Sequence, residues 1–535
     1  MKKVYFLFLI LSFFVYGEIP EGFSVLGKEG ERQIIPEGWE EISLPKESLP
    51  EIEKEGYIIF RNNYLNLIYP TTVPRKYQIT KDLYLFASIG EYEPITFCVY
   101  PIEELKDVKV DITDLTDEKG EKIEKENVDI RVVRYLYRGK EGKYKVVHHV
   151  LEKKEKIDIP KDFTTEFWLT IYVPENINPS DYKGKIIFQT SKRKDEINVL
   201  LKVLPIKLKD PEIDRGMFFS LDTRMKATFY PENLKKYFLD MKSHGLNSVV
   251  TNISPKIEIE KGNIKLDFSV PGRYWDAMSL EKFVDIYKES GLTGSILYHG
   301  SWEYGHWGIL HPTSIKEMIK DEEEINEEKK EYYFKEITKK IDEYARKKGL
   351  EFIFWDVDEP ANSREEMKEA IRNYKLLHES GVKTICTLNG LWGNIDDSEI
   401  LGPYLTHHCY NYISPKVIED TKKRGKILYT YNGGSGAMGT DPPLVDRYYY
   451  GFYLFKTGAK GIYQWIYYTE SKGMSIFDIK DQGRYYYVFP TKEGPLPTPY
   501  WEALREGIDD LKYIYTLSLL IEKAKKLKNE NLKDE

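Results

Sequence analysis

The sequence predicts a multi-domain protein in which an N-terminal antiparallel β-sandwich is followed by a (β/α)8 TIM barrel. The chain has 535 residues, which is too long for one ordinary domain. Its N-terminal part contains short alternating apolar runs spaced about ten residues apart, as is typical of sandwiches. From about Pro205 onward, β-branched runs alternate with amphipathic segments, which is typical of parallel α/β folds.

Composition excludes several other classes of protein. The formal net charge is −8, whereas a nucleic-acid-binding protein needs a basic surface to displace counterions from phosphates. Hydrophobic residues make up 41% of the chain, so a large core can form and global disorder is excluded. The chain has three cysteines, too few for a framework of disulfides. We therefore expect a globular protein without nucleic-acid partners.

The first residues have the pattern of a signal peptide. Met1–Lys3 carry positive charge, and an apolar run from Val4 to Tyr16 follows. This run is shorter than the roughly 20 residues that span a bilayer, and Gly17 suits cleavage before Glu18. We expect a secreted or periplasmic protein whose mature chain has no membrane span. An uncleaved anchor is the alternative.

The N-terminal strands are predicted from alternation and from turn residues between the runs. They are Tyr57–Arg61, Leu83–Ser88, Ile95–Tyr100, Val108–Thr113, Val128–Tyr137, Glu166–Val173, Gly184–Thr190 and Ile197–Val203. The predicted organisation is a signal peptide over 1–17, the sandwich over 18–208, the barrel over 209–498, and a C-terminal helix packed on the barrel over 499–535.

Eight βα repeats are predicted after the sandwich. The strands are Gly216–Leu221, Asn247–Ile253, Gly294–His299, Leu350–Val357, Thr384–Leu388, Leu405–Tyr410, Ile427–Tyr431 and Gly461–Ile466. The helices are Pro231–His244, Leu280–Ser290, a charged helix that ends near Lys348, Arg364–Ser380, Pro415–Lys423, Pro442–Lys456 and a last one from Pro499 to Lys525. Glycine follows several helices, as expected at their C′ positions. An open doubly wound sheet is the alternative, but no strand precedes a glycine-rich phosphate loop.

In such barrels the active site lies at the carboxyl ends of the strands. The candidate substrate-binding residues at these ends are Asp222, Arg224, Asn252, His299, Asp356, Asn389, Tyr410, Asn411, Tyr431, Asn432, Trp465 and Tyr467. Amides, carboxylates and imidazoles can bind sugar hydroxyls, and aromatic planes can stack on sugar rings. These residue types predict a glycan substrate. No set of Cys and His residues has the spacing of a metal site, so we expect no cofactor.

The fourth strand carries the strongest motif, which runs from Phe352 through Asp356, Asp358 and Glu359 to Pro360. Side chains alternate along a strand, so Phe352, Phe354, Asp356 and Asp358 should share one face. We expect Ile353, Trp355 and Val357 to pack outward on helices and the aspartates to point into the barrel. Pro360 bends the chain, which lets Glu359 join Asp358. A helix N-cap or a loop salt bridge is the alternative role for these acids.

The seventh strand ends in Thr430–Gly434 without the carboxylate that retaining barrels use as a nucleophile. Adjacent Asp358 and Glu359 suit a different route, in which the 2-acetamido oxygen of the substrate attacks C1. Glu359 would be the acid/base, and Asp358 would hold the acetamido N–H. Either Tyr410 or Tyr431 could bind the acetamido oxygen. The product would keep the anomeric configuration.

The motif from Asp356 to Pro360, the order of the two domains and the segment Tyr500–Tyr513 resemble glycoside hydrolase family 123. This resemblance implies an exo-acting β-N-acetylgalactosaminidase in which Asp358 positions the acetamido group and Glu359 is the acid/base. Arg505 and Asp509 are expected to tie the last helix to the barrel.

Two other functions stay open. One is a glycosidase of other specificity that uses Asp222, Glu303 or Glu470 as a second carboxylate. The other is a secreted glycan-binding protein without catalysis. The sequence leaves galacto or gluco specificity, the aglycone and the oligomeric state undetermined.

Overall fold

The computed structural model describes residues 17–18, 56–66, 68–140, 143–218, 233–272, 278–299, 318–319, 326–390, 394–431, 443–468, 487–491 and 493–531. For 17–18, 136–140, 143–149 and 528–531 the description is limited to the backbone. The chain divides into two compact units, Met1–Ile206 with Met474–Arg484, and Lys207–Gly473 with Tyr485–Glu535. We call them the N-terminal unit and the barrel unit.

The N-terminal unit consists of strands in two sheets. The strands are β1 (Gly17–Glu18), β2 (Tyr57–Asn62), β3 (Asp82–Ile89), β4 (Tyr92–Pro101), β5 (Leu105–Ile112), β6 (Leu115–Thr116), β7 (Lys122–Ile123), β8 (Val128–Lys140), β9 (Lys143–Glu152), β10 (Ile157–Ile159), β11 (Thr165–Tyr172), β12 (Asp181–Gln189) and β13 (Lys194–Lys207). The first sheet has the order β1-β9-β8-β11-β4-β2 and is antiparallel throughout. The second sheet has the order β10-β5-β12-β13-β3, with β6 and β7 beside β12.

One hydrophobic core contains residues of both sheets. Phe97 of β4 and Phe167 of β11 stack in the first sheet, with ring centroids 5.2 Å apart. Phe188 of β12, in the second sheet, meets Phe167 edge to face at 6.1 Å. Alternation places these aromatic rings on one face of each strand, so the two sheets bury their apolar faces against each other. The N-terminal unit is therefore strand-rich, as the sequence predicts.

The barrel unit contains eight parallel strands that close on themselves. In spatial order they are β14 (Asp214–Met217), β15 (Ser248–Thr251), β18 (Ile296–His299), β19 (Phe352–Trp355), β20 (Lys383–Leu388), β21 (His407–Tyr410), β22 (Ile427–Tyr431) and β23 (Gly461–Gln464). All eight predicted strands are present, most of them shorter than predicted. The order of a strand-rich domain followed by an eight-stranded barrel is confirmed, and the alternative of an open sheet is wrong.

Helices lie between successive barrel strands, and a last helix follows the eighth strand. They are α1 (Leu234–Ser243), α2 (Leu280–Glu289), α3 (Glu327–Lys347), α4 (Arg364–Glu379), α5 (Asp396–Leu401), α6 (Pro415–Lys423), α7 (Leu444–Tyr448), α8 (Leu454–Thr457) and α9 (Pro499–Asn531). A π-helical turn over Tyr449–Tyr453 joins α7 to α8, where the sequence predicts one continuous helix. The glycines predicted at C′ positions have φ between 66° and 78°: Gly245, Gly291, Gly349, Gly381, Gly425 and Gly458.

Three features of the barrel unit were not predicted. Strands β16 (Pro255–Glu260) and β17 (Asn263–Pro271) form one antiparallel hairpin, and β24 (Val488–Thr491) and β25 (Gly494–Pro497) form another. The third feature is α5, a helix of six residues that is too short to show a clear periodicity. Among the described residues, no helix is both long and apolar enough to cross a membrane.

The last helix is fastened to the barrel unit by a buried polar cluster. Trp501 Nε1 and the Tyr467 hydroxyl both donate to Asp240 Oδ2 of α1, at 3.0 and 2.6 Å. The His244 ring stacks on Trp501 at 4.5 Å. Arg505 donates to Glu502 within α9 at 2.5 Å. The bonds to Asp240 hold α9 against α1, whereas the Arg505–Glu502 pair lies within α9, so the expectation that Arg505 and Asp509 tie this helix to the barrel stays a prediction.

Tyrosine rings fill the barrel at the end where the strands begin. An added Cβ on Gly461 would lie 2.3 Å from the Tyr429 ring, and one on Gly216 would lie 2.2 Å from the Tyr463 ring. The Tyr429 hydroxyl donates to Asp214 Oδ2 at 2.5 Å, which fixes this ring. Only glycine leaves room for the rings at these two positions.

We predict that Gly461→Ala destabilises the barrel by about 1–3 kcal/mol, because the methyl group overlaps a fixed ring. Chemical unfolding followed by tryptophan fluorescence measures the change. Gly402→Ala is the matched control, since φ is −49° there and the nearest atoms would be 3.5 Å away. Equal effects of the two substitutions would contradict this account of the barrel interior.

Candidate active site

The end of β19 is anchored on its outer side to helix α4. Asp356 is 1% exposed, and Asn373 Nδ2 donates to its Oδ2 at 2.6 Å. The Tyr374 hydroxyl accepts from the Asp356 N–H at 3.3 Å, and its one proton is shared between Ile385 O at 2.9 Å and Val357 O at 3.1 Å. Asp356 thus faces the helices. The prediction that it shares the inner face with Asp358 is wrong, and we remove Asp356 from the substrate-binding set.

Trp355 is directed into the barrel. Its ring meets Phe218 at 4.9 Å, beyond β14 on the opposite side of the barrel, and His299 of β18 at 4.3 Å. The prediction that Trp355 packs outward is therefore also wrong. The physical reason is that the barrel interior is itself apolar and packed, while α4 supplies Asn373 as a partner for the outward carboxylate.

After Trp355 the chain leaves the strand and turns. Glu359 has φ 43° and ψ 54°, a left-handed conformation that costs a non-glycine residue about 1–2 kcal/mol. The Thr387 hydroxyl of β20 accepts from the Glu359 N–H at 2.7 Å, and the Asn362 N–H donates to Glu359 O at 3.1 Å. These bonds stabilise the turn, which brings two successive carboxylates to the mouth, the side where the strands end.

Asp358 lies at the mouth as a hydrogen-bonded carboxylate. The Thr387 hydroxyl donates to its Oδ1 at 2.7 Å. The residue as a whole is exposed, yet protein atoms around the carboxyl group exclude enough water to raise its pKa to about 6. The charge of Glu359 raises this pKa further, whereas the Thr387 hydrogen bond opposes the rise. Asp358 is therefore ionised only above about pH 6.

Glu359 is held from the far side of the mouth. The Tyr431 hydroxyl, at the end of β22, donates to Glu359 Oε1 at 2.7 Å. Burial and then the charge of Glu359 raise the pKa of Tyr431, which keeps this hydroxyl protonated and donating. The end of β22, where retaining barrels have a nucleophilic carboxylate, thus presents the Tyr431 hydroxyl, which binds Glu359.

Three further predicted residues lie around the mouth. His299 is buried, and burial lowers its pKa to about 3, so its ring is neutral. Asn252 follows β15 and is 5% exposed, and its Nδ2 has no hydrogen-bond partner among the described residues. Trp465 follows β23 half-buried, 5.5 Å from the Phe218 ring. A neutral imidazole, an amide and an indole are groups suited to a sugar.

Two predicted residues lie away from the mouth. Tyr410 packs toward the helices: its hydroxyl is buried near Ser398 of α5 and Thr421 of α6, and burial raises its pKa to about 12. Tyr467 donates to Asp240 of α1 beneath Trp501. Both tyrosines leave the substrate-binding set, because a side chain in the helix layer cannot reach a ligand at the mouth.

Two predicted asparagines lie in hydrogen-bonded loops. Asn411 Oδ1 accepts from the Gly390 N–H at 3.1 Å, which ties the end of β20 to the end of β21. At Asn389 the backbone N–H donates to Asp397 of α5 at 3.2 Å. Asp222, Arg224 and Asn432, together with the alternative carboxylates Glu303 and Glu470, lie outside the described residues, so their placement stays a prediction.

Thr387 is the residue at the mouth that the sequence analysis missed. It lies in a strand rich in β-branched residues, where a threonine is expected to be part of the core. Side chains alternate along the strand, so Thr387 lies on the face opposite to Thr384 and points into the barrel.

Two family models match the chain. That of the glycoside hydrolase 123 catalytic domain matches residues 231–517, and that of the glycoside hydrolase 123 N-terminal domain matches residues 69–190. No curated protein sequence matches the chain.

Several solved structures of glycosidases match the chain, and the first of them shares its fold. A family 123 glycoside hydrolase from Clostridium perfringens has 14% identity and a TM-score of 0.62, with 89% of this chain and 90% of that chain covered. A family 113 β-1,4-mannanase has 12% identity, 56% and 99% coverage and a TM-score of 0.34. β-Glucuronidase 3 of Bacteroides uniformis has 8% identity, 78% and 50% coverage and a TM-score of 0.33.

We predict opposite effects on stability for the two aspartates. Asp356→Ala lowers the free energy of unfolding by about 1–3 kcal/mol, because Asn373 loses its buried partner. Asp358→Asn raises the melting temperature at neutral pH, because the folded state then no longer holds an unfavourable charge.

The pH dependence follows from the raised pKa of Asp358. The folded protein binds this proton more tightly than the unfolded chain, where the pKa is about 3.9. Wild-type stability is therefore lost relative to Asp358→Asn as pH rises from about 4 to about 6. Scanning calorimetry across this range should show the gap widening, and a gap that narrows with rising pH would contradict the assignment.

Proposed function

We propose that this chain, which belongs to glycoside hydrolase family 123 as its sequence indicated, is an exo-acting β-N-acetylgalactosaminidase with a retaining, substrate-assisted mechanism. Family membership makes it a glycosidase with a glycan substrate. One observation carries the mechanism: Asp358 and Glu359 lie side by side at one strand end, and the strand that would supply a nucleophile presents Tyr431.

In the proposed first step the substrate supplies its own nucleophile. Glu359 donates a proton to the glycosidic oxygen while the carbonyl oxygen of the 2-acetamido group attacks C1 and the C1–O bond breaks. The Asp358 carboxylate accepts the acetamido N–H and stabilises the positive charge of the oxazolinium ring that forms. In the second step Glu359 takes a proton from water, which attacks C1 and reopens the ring.

Asp358 is suited to this role because its carboxylate faces the substrate side with one oxygen already oriented. A carboxylate that stabilises a cation must be ionised, which a pKa of about 6 allows at neutral pH. Tyr431 is the tyrosine that remains at the mouth to bind the acetamido oxygen, because Tyr410 faces the helices. Its hydroxyl donates a hydrogen bond to Glu359 in the free protein and, in this proposal, donates to the acetamido oxygen once substrate binds.

The rest of the mouth suits a terminal sugar. We propose that Trp465 stacks on the sugar ring and that Asn252 and His299 bind its hydroxyls. Terminal β-linked N-acetylgalactosamine is the preferred substrate in this proposal, with N-acetylglucosamine as the competing epimer. A panel of the two 4-nitrophenyl glycosides decides between them: faster hydrolysis of the gluco epimer would overturn the choice of sugar while leaving the mechanism intact.

We also propose that the protein is exported. The charged start, the apolar run and Gly17 in residues 1–17 support a cleaved signal peptide. N-terminal sequencing of protein recovered outside the cytoplasm should begin at Glu18, whereas a chain that still begins at Met1 would contradict cleavage.

The two acids should respond differently to the leaving group. For Glu359→Gln we expect a loss of about 10²–10⁴-fold in kcat/KM with a poor leaving group, and a much smaller loss with 2,4-dinitrophenol, which departs without a proton. For Asp358→Asn the loss should be similar for all leaving groups, because it acts on the acetamido group. Steady-state kinetics with a series of N-acetylgalactosaminides measures both effects.

Two results would contradict the assignment. Retention of full activity by Glu359→Gln with poor leaving groups would exclude it as the acid. Trapping of a covalent sugar on Asp222, Glu303 or Glu470 would replace the proposed mechanism with one that uses a second carboxylate.

A further inference from the structure

We infer that Thr387 is a positioning residue of this site, whose single hydroxyl holds the side chain of Asp358 and the backbone of Glu359 in their working arrangement. The inference rests on the proposed function for its kinetic consequences. Its structural part concerns contacts within the protein and is tested separately below.

The direction of both hydrogen bonds follows from chemistry. The Glu359 N–H can only donate, so Thr387 Oγ1 accepts from it at 2.7 Å. The one hydroxyl proton is then left for Asp358 Oδ1, also 2.7 Å away. Thr387 is thus an obligate donor to Asp358, and Oδ1 must accept. The arrangement favours the ionised carboxylate and orients Oδ2 independently of any substrate.

Threonine suits this position because its side chain is stiff. Thr387 is 4% exposed and lies on β20, which is paired with β21 at this residue. A β-branched side chain on a buried strand has few χ1 rotamers, so the hydroxyl stays in place. Because the left-handed turn at Glu359 depends on the same hydroxyl, loss of Thr387 should disturb both acids.

Several titratable groups surround Asp358, and their effects on its pKa must be distinguished from the effect of Thr387. They are Glu359 on the same turn, Glu366 on α4, Cys386 on β20, Cys409 on β21 and Tyr431 on β22. Glu359 and Glu366 raise the pKa of Asp358, whereas the Thr387 hydrogen bond lowers it. Removing the hydroxyl alone therefore has a predictable sign: the pKa of Asp358 should rise.

The test compares three variants. Thr387→Val keeps the shape and removes the hydroxyl, and Thr387→Ser keeps the hydroxyl. Thr384→Val is the matched control, because Thr384 on the same strand also donates to one carbonyl, Tyr404 O at 2.9 Å, and accepts from one N–H, Thr406 N at 3.1 Å, but lies at the opposite end of β20. Circular dichroism verifies folding, and Thr387→Ala replaces the valine variant if that does not fold.

In steady-state kinetics we expect Thr387→Val to lower kcat by about 10- to 100-fold with little change in KM, since a hydrogen bond to a charged group is lost. The acid limb of its kcat/KM profile should move to higher pH. Thr387→Ser should restore both values, and Thr384→Val should change neither. A uniform loss at all pH values, or no rescue by serine, would reduce Thr387 to a packing residue.

A second readout does not require activity. The stability gap between Asp358→Asn and its parent, measured against pH, reports the pKa of Asp358 in the folded protein. In the Thr387→Val background this gap should begin to widen at the same pH, set by the unfolded chain, but should keep widening to a higher pH than in the wild type. A gap that levels off at the wild-type pH overturns the inference even if catalysis is impaired. A gap that widens to higher pH in a protein that hydrolyses no 2-acetamido glycoside would leave the contact standing and reject the proposed function.

Discussion

The arrangement of the site depends on how the end of β19 is held from two sides. Asn373 and Tyr374 hold Asp356 and the backbone beyond it against helix α4, and Thr387 holds the next turn from inside the barrel. Between these attachments the chain has to reverse, and Glu359 takes a left-handed conformation. Strain of this kind persists only when surrounding bonds over-determine it, and it often marks functional sites. Here its result is that two consecutive residues present carboxylates at the mouth of the barrel.

That proximity has an electrostatic consequence. Exclusion of water is the main cause that raises the pKa of Asp358 to about 6, and the charge of the neighbouring Glu359 adds to it. The hydrogen bond from Thr387 opposes this rise, and Tyr431 donates to Glu359 from the other side of the mouth. At neutral pH the Asp358 carboxyl group is therefore mostly ionised, as its proposed role requires.

The sequence was sufficient to predict the framework of the barrel. Strand and helix periodicity placed all eight barrel strands, and the Asp-Val-Asp-Glu-Pro run pointed to the strand end at which Asp358 and Glu359 lie together. The predicted faces of this strand were wrong because polarity alone does not determine which face points into the barrel: Trp355 fills the barrel interior, and Asp356 binds Asn373 on the outside. The alternation of side chains also stops at Trp355, where the strand ends. Thr387 was missed because its role depends on a contact between neighbouring strands that local sequence does not record.

The central claim is that the substrate, not the protein, supplies the attacking atom. It is tested most directly with substrates whose N-acetyl group carries one, two or three fluorine atoms, which progressively weaken the carbonyl oxygen as a nucleophile. The account predicts that kcat/KM falls steeply with each fluorine, while the leaving group is kept the same. A rate that stays level across the series would show that a protein carboxylate attacks C1 and would contradict the account.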